Sequence, residues 1–237
     1  MLSLTAQKAI SAYGGTELWQ SHKFIEAEVS VRGLAFTLKQ RPFFEHAQIR
    51  MEIGRPFSKI TPIGKDKNIS GILDGNDVRL ENIHGITIAE RKNARDFFPY
   101  GRRLFYWDDL DMAYFANYAL WNYFTLPHLL TNKYLEWTEK SEGFLQATFP
   151  DDFPTHNKVQ DFHFDPFTGL LIQHNYTADI ISRLAKAANV VVDHKKTENF
   201  IYPSSRCVTP RNSKGKALKR PILIDITLHN FRLTNDK

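Results

Sequence analysis

Apolar and polar positions alternate along most of this chain, and one long segment breaks the alternation. From Phe24 the side chains Ile25, Ala27, Val29 and Val31 occupy every second position, the period of a half-buried strand, and the pattern predicts extended chain as far as Leu38. Similar runs follow at 47–53, 60–63, 69–73, 78–83 and 86–90, with turn residues Asp74, Gly75 and Asn76 and the pair His84 and Gly85 between them. A second series is predicted at 134–138, 143–149, 159–164, 170–177, 190–192, 200–208 and 222–228. Ahead of the strands, Leu4, Ala6, Ala9, Ile10 and Tyr13 are spaced for an amphipathic helix, and Gly14 and Gly15 supply its C-terminal stop.

The segment that breaks the pattern is WDDLDMAYFANYALWNYFTLPHLL, Trp107 to Leu130. Asp108 is placed to cap a helix running from about Asp109 to Leu126, because a carboxylate suits the positive end of the helix dipole. Leu110, Ala113, Tyr114, Ala116, Tyr118, Leu120, Trp121 and Phe124 surround that helix, and a helix apolar on all faces is a buried one. It does not suit a membrane span, which needs roughly 20 apolar residues without charges. Asp108, Asp109 and Asp111 occupy the first turn, Asn117 and Asn122 interrupt the middle, and Pro127 ends the run.

Many sequential strands joined by turns imply an antiparallel sheet, and a sheet this long curls toward a barrel. The expected architecture is mainly β: a single domain over residues 1–237, with a curved sheet or unclosed barrel, an N-terminal helix, and the aromatic helix as plug or lid. The hydrophobic fraction of 42% suffices for a sizeable core.

The net charge of +5 invites a nucleic-acid reading, but the excess is local. Arg211, Lys214, Lys216, Lys219 and Arg220 crowd one stretch, RNSKGKALKR, which reads as a solvated hairpin loop and carries no nucleic-acid-binding motif. A single cysteine, Cys207, excludes an internal disulfide and is read as a core residue within a strand. The first residues show no basic region followed by a continuous apolar stretch, so the expected compartment is cytoplasmic.

The segment richest in chemistry is THNKVQDFHFDPFTGLLIQHNY. Asp165, Pro166, Phe167, Thr168 and Gly169 suit a compact hairpin loop. If Asp165 pairs with Leu170, then Asp161 lies opposite His174, and Asp161, His163, His174 and Tyr176 share one face. An Asp orienting a His, with a second His and a Tyr close by, is material for general acid/base catalysis. A slip of one residue exchanges partners and faces, and a solvent-facing surface of ordinary polar neighbours is the plainer alternative. No metal is expected: His156, Asp161, His163 and His174 supply donors but lack metal-site spacing. No cofactor is expected either, since no nucleotide-binding glycine pattern or nucleophile elbow occurs.

An amphipathic helix ending in AYGGTELW, a long meander, an aromatic helical insertion and a closing ILIDITLHNF together resemble the bacterial lipoprotein-carrier fold, the LolA/LolB-like unclosed barrel. More narrowly, WDDLDMAYFANYALWNY, FPDDFPTHNKVQDFHFDPFTGLLIQHNY and the terminal strand resemble an uncharacterised bacterial family associated with that fold. The resemblance implies a hydrophobic cavity between a curved sheet and helical lids, which holds acyl chains in the carriers. Unlike those of the carriers, the first residues here show no export-signal pattern or lipoprotein cysteine, so a periplasmic trafficking role is not expected.

Two functions of different classes follow. In one, a lipophilic small molecule or acyl chain is bound unchanged against Tyr114, Phe115, Tyr118, Trp121 and Phe124. In the other, the same cavity is the site of a cofactor-free cyclase, isomerase or dehydratase, with His174 as base, Asp161 orienting it, and Tyr176 or His163 as proton donor.

Overall fold

The computed structural model describes residues 2–235. The N-terminal helix α1 (Leu4–Ala12) is capped by Ser3 and followed by a short α2 (Thr16–Ser21). Strands β1 (Phe24–Arg32), β2 (Phe44–Glu52), β3 (Phe57–Thr61), β4 (Ser70–Asp74), β5 (Asp77–Glu81) and β6 (Thr87–Arg91) form the first meander, with a short α3 (Leu34–Leu38) between β1 and β2. Then come α4 (Asp109–Phe124) and α5 (Leu126–Leu129). The second meander is β7 (Glu136–Ser141), β8 (Phe144–Thr148), β9 (Val159–Phe164), β10 (Leu171–Thr177), β11 (Lys186–Lys196), β12 (Ile201–Pro210) and β13 (Ile224–Thr234).

All thirteen strands of the described residues belong to one sheet, in the order β6-β5-β4-β3-β2-β1-β13-β12-β11-β10-β9-β8-β7, and every neighbouring pair is antiparallel. The first and last strands therefore meet in the middle of the sheet, where Val31 faces Ile226 and Ala27 faces Phe231. The two outer edges, β6 and β7, are consecutive in sequence and do not pair with each other, so the barrel stays unclosed. The chain between those edges carries α4, which lies against β3, β4, β5 and β6 on the inner face.

The sequence predicts the start of α4 well. Asp108 accepts from the Asp111 amide at 2.8 Å, and Asp111 accepts from the Asp108 amide at 3.1 Å, a reciprocal capping box. Every residue from Asp111 to Phe124 is buried. The two asparagines inside the helix tie it to its surroundings: Asn117 donates to Gly71 O at 3.1 Å, and Asn122 donates to Pro154 O at 2.9 Å. Trp121 Nε1 donates to Glu52 O at 2.6 Å. Helix and sheet approach closely at Gly71, where an added Cβ would lie 2.8 Å from Ala113 Cβ.

Two local expectations are corrected. Residues 34–38 form helix α3, whereas the alternation predicted continued strand. Gly33 ends the strand with φ 138, and a Cβ there would sit 2.4 Å from Leu223 O, so the backbone turns where only glycine fits. Cys207 is half-buried on the outer face, because its neighbours Arg206 and Val208 take the inner one. The basic stretch 211–220 is the β12–β13 connection, closed by a bridge between Arg211 and Ala217, as a hairpin loop should be.

Candidate functional site

The hairpin β9–β10 begins in the predicted register. Asp165 N donates to Leu170 O at 2.8 Å, and Phe164 faces Leu171. Ile172 is then an extra residue: His163 faces Gln173, Phe162 faces His174, and Asp161 faces Asn175. This β-bulge turns the rest of the strand over, so the expected pairing of Asp161 with His174 does not form. Its physical reason lies in what each side gains. Inward, His174 stacks on Phe162 at 4.1 Å and Tyr176 stacks on His156 at 3.7 Å. Outward, Gln173 and Asn175 donate to Gly215 O at 2.8 and 2.9 Å, which pins the basic loop to the sheet.

Asp161 and His163 consequently lie on the outer side, half-buried. Asp161 accepts from Gln146 Nε2 at 2.9 Å, and His163 stacks on Phe144 at 4.5 Å. Asp161→Ala is expected to cost less than about 1 kcal/mol, since it removes one partly exposed hydrogen bond. A urea midpoint shifted as far as that of a buried-core variant contradicts this placement.

On the inner side a polar network is enclosed by α4, β10 and the 149–158 segment. His156 sits between Tyr118 Oη, 3.2 Å from Nδ1, and Tyr123 Oη, 2.7 Å from Nε2. Tyr123 Oη is 2.7 Å from Tyr176 Oη, and His174 Nε2 is 2.7 Å from Gln160 Oε1. Arg95 holds the segment in place by donating to Thr155 O and to Asp179, at 2.7 and 2.6 Å. Burial, with Arg95 nearby, holds the His156 imidazole well below its ordinary pKa. Burial does the same at His174, reinforced by His156 and Arg206. Burial pushes the Tyr123 phenol up to about 12 and that of Tyr176 well above its usual value. At neutral pH these groups are uncharged, and a neutral imidazole, with one donor and one acceptor, suits the phenols on either side of His156.

Arg206 is the exception to this neutrality. Its side chain is fully buried, and Nη2 donates to Tyr123 O at 3.1 Å, while Nε and Nη1 have no partner. It borders a void of about 10 Å³ with Tyr13 and Phe124, room for about one water.

An apolar space lies beside Tyr176. A cavity of about 300 Å³ is bounded by Phe36 and Leu38 of the α3 segment, Trp107, Met112 and Phe115 of the α4 segment, and Tyr176, Ile181, Ala187, Val208 and Ile224 of the sheet and its loops. Its walls are almost wholly apolar, and Lys39, Arg41 and Lys186 are its only charged residues. Leu38 and Leu184 line it and are 60% and 86% exposed, so the cavity reaches the surface.

Of the five aromatic side chains expected to line a pocket, Phe115 does so. Tyr114, Tyr118 and Trp121 are fully buried in packed core: Tyr114 bonds Asn76 at 3.2 Å, and Trp121 packs on Phe153. Phe124 packs edge-on to Phe231. Of the four residues expected to carry acid/base chemistry, only Tyr176 lines the cavity, and the His174 ring packs 5.0 Å behind it. Sequence reasoning missed Lys39 and Arg41, which follow a segment read as strand, and the 178–187 wall, whose apolar residues have no regular period. No group of three or more His, Cys, Asp or Glu is placed to hold a metal ion among the described residues, and no helix among them is long and apolar enough to cross a membrane.

The fold is LolA-like. A LolA superfamily protein from Nitrosomonas europaea superposes with a TM-score of 0.56 at 9% identity, covering 100% of this chain and 96% of that one. A DUF1329 family protein from Desulfovibrio piger gives a TM-score of 0.49 at 10% identity over 97% of this chain and 91% of its own. A putative outer membrane lipoprotein-sorting protein domain from Vibrio parahaemolyticus gives 0.47 at 12% identity over 97% and 90%. No protein-family model and no curated protein sequence matches the chain.

Proposed function

We propose that this protein binds a lipophilic small molecule or acyl chain in the cavity beside Phe115 and Tyr176, without transforming it. The observation that carries this reading is a surface-connected space of about 300 Å³ with almost entirely apolar walls. Filling it with water is unfavourable, and an apolar ligand that displaces that water gains free energy in proportion to the area it buries. Its volume lies at the lower end of ligand-pocket sizes, about 300 to 1,000 Å³, which suits one medium-length chain better than several. The resemblance to lipoprotein carriers supports the same ligand class.

Binding takes precedence over catalysis because the groups that could move protons are engaged elsewhere. His174 is bonded to Gln160, and both imidazole nitrogens of His156 have phenol partners. Of the four residues expected to carry acid/base chemistry, Tyr176 alone reaches this cavity, and burial holds its phenol neutral.

The neutral dye N-phenyl-1-naphthylamine is expected to brighten on entering the cavity. Ala35→Trp and Ala185→Trp, made at half-buried lining positions, should each weaken its binding at least about tenfold by occupying the space. Dye binding that is absent, or equally strong in both filled variants, contradicts the assignment.

A further inference from the structure

The cavity walls are apolar, yet their charged residues are all of one sign, and no carboxylate lines the space. Two of these side chains are withdrawn from solvent. Lys39 is 8% exposed, and its Nζ donates to Arg103 O at 2.9 Å and Leu104 O at 2.7 Å, both neutral acceptors. The ammonium also sits 5.3 Å from the Trp107 ring, itself part of the wall. Arg41 has a side chain only 6% exposed: Nη1 donates to Trp107 O at 3.2 Å, Nη2 bonds Asp109, and Nε is buried without a partner.

The contrast with neighbouring cations is informative. Arg91, Arg102 and Arg103 are each paired with Asp108 or Asp111 close by. Lys39 bonds no carboxylate: burial pulls its pKa down, and the more distant charge of Asp111 offsets this only in part. A buried cation bonded only to backbone carbonyls, with a second guanidinium in the same apolar lining, fits an anion that arrives with the ligand.

We propose that the ligand is an amphiphile with one anionic head group, a carboxylate or a phosphate monoester. Lys39 Nζ holds the head with the Arg41 charge close by, and the apolar walls around Phe36, Met112 and Phe115 hold the chain. This rests on the cavity-binding reading above and adds the head group to it. Lys186, the third cation of the lining, adds long-range attraction for the same charge.

The test is displacement of N-phenyl-1-naphthylamine by four ligands with the same decyl chain: decanoate, decyl phosphate, decanol and decyltrimethylammonium. Both anions are expected to displace the dye at concentrations at least about tenfold lower than decanol, with the cation weakest. Lys39→Met should abolish the preference while the dye still binds, and Lys39→Arg should retain it. If Lys39→Met does not fold, the order of the four head groups on the unaltered protein decides alone. Decanoate or decyl phosphate leading by itself identifies which head is taken. Dye binding with all four heads within about threefold overturns the head-group assignment and leaves the cavity reading intact. No binding of the dye or of any chain removes the cavity reading itself. A preference that survives Lys39→Met and disappears in Arg206→Met places the head at the inner guanidinium and overturns the site proposed here.

Discussion

Replacing Asp111 with alanine is expected to destabilise the protein by about 3 kcal/mol, the lower end of the range for breaking a buried ion pair. Asp111 is completely buried, and three guanidinium groups converge on it: Arg91 and Arg103, each at 2.6 Å, and Arg102 at 3.1 Å. The same carboxylate closes the capping box of α4. Removing it leaves Arg91 and Arg103, 11% and 14% exposed, without this counter-charge, while Arg102, at 42%, recovers much of its hydration. Asp108 still holds Arg91 and Arg102, which keeps the cost from the upper end of the range. Burial opposes the charge on Asp108, yet Arg91, the Asp111 amide and Arg102 together hold its carboxyl well below the usual range. For a chain of this length the thermal midpoint should fall by roughly 6 to 12 °C. A shift under about 2 °C in calorimetry contradicts a structural role for the cluster.

Mild acid is expected to weaken the fold through His156 and His174. Both are buried and held neutral, with pKa values well below the ordinary 6.5. Above that value folded and unfolded chains both carry neutral imidazoles, and no penalty arises. As pH falls below it, the unfolded chain takes up protons that the folded chain cannot, so stability is lost toward the depressed folded pKa. Each histidine contributes at most about 1.4 kcal/mol per pH unit in that window, and the loss ends where its folded pKa is reached. His194, lowered to about 4 by burial, acts in the same direction but less strongly, because solvent screens it. Urea midpoints should fall steeply between pH 7 and pH 5, and His174→Gln should remove close to half of the slope. A midpoint unchanged across that window overturns the neutral assignment of both rings.

Local signals in the sequence were strong where a residue interacts with its near neighbours along the chain. The capping of α4 by Asp108, the stop at Gly14 and Gly15 and the turn from Asp165 to Gly169 each involve groups a few residues apart, and each is legible as spacing. The order of the strands was also accessible in outline, since a meander pairs consecutive strands. The asparagines inside α4 had a sign but no address. Asn117 and Asn122 marked the helix as something other than a membrane span, yet their acceptors at Gly71 and Pro154 lie 46 and 32 residues away.

By itself, the sequence determined the class of the fold, an antiparallel sheet curled around an apolar helix, because periodicity and the apolar run dictate which faces must be buried. It also determined the helix cap and the hairpin loop. Only the tertiary structure decided which residues of the hairpin point inward. The bulge at Ile172 reverses every side chain after it, and its gain comes from partners far along the chain, His156 on the inside and Gly215 on the outside. The same holds for the cavity. Its walls come from α3, the start of α4 and the far half of the sheet, and the shape of the space they leave depends on how distant surfaces fail to fill one another.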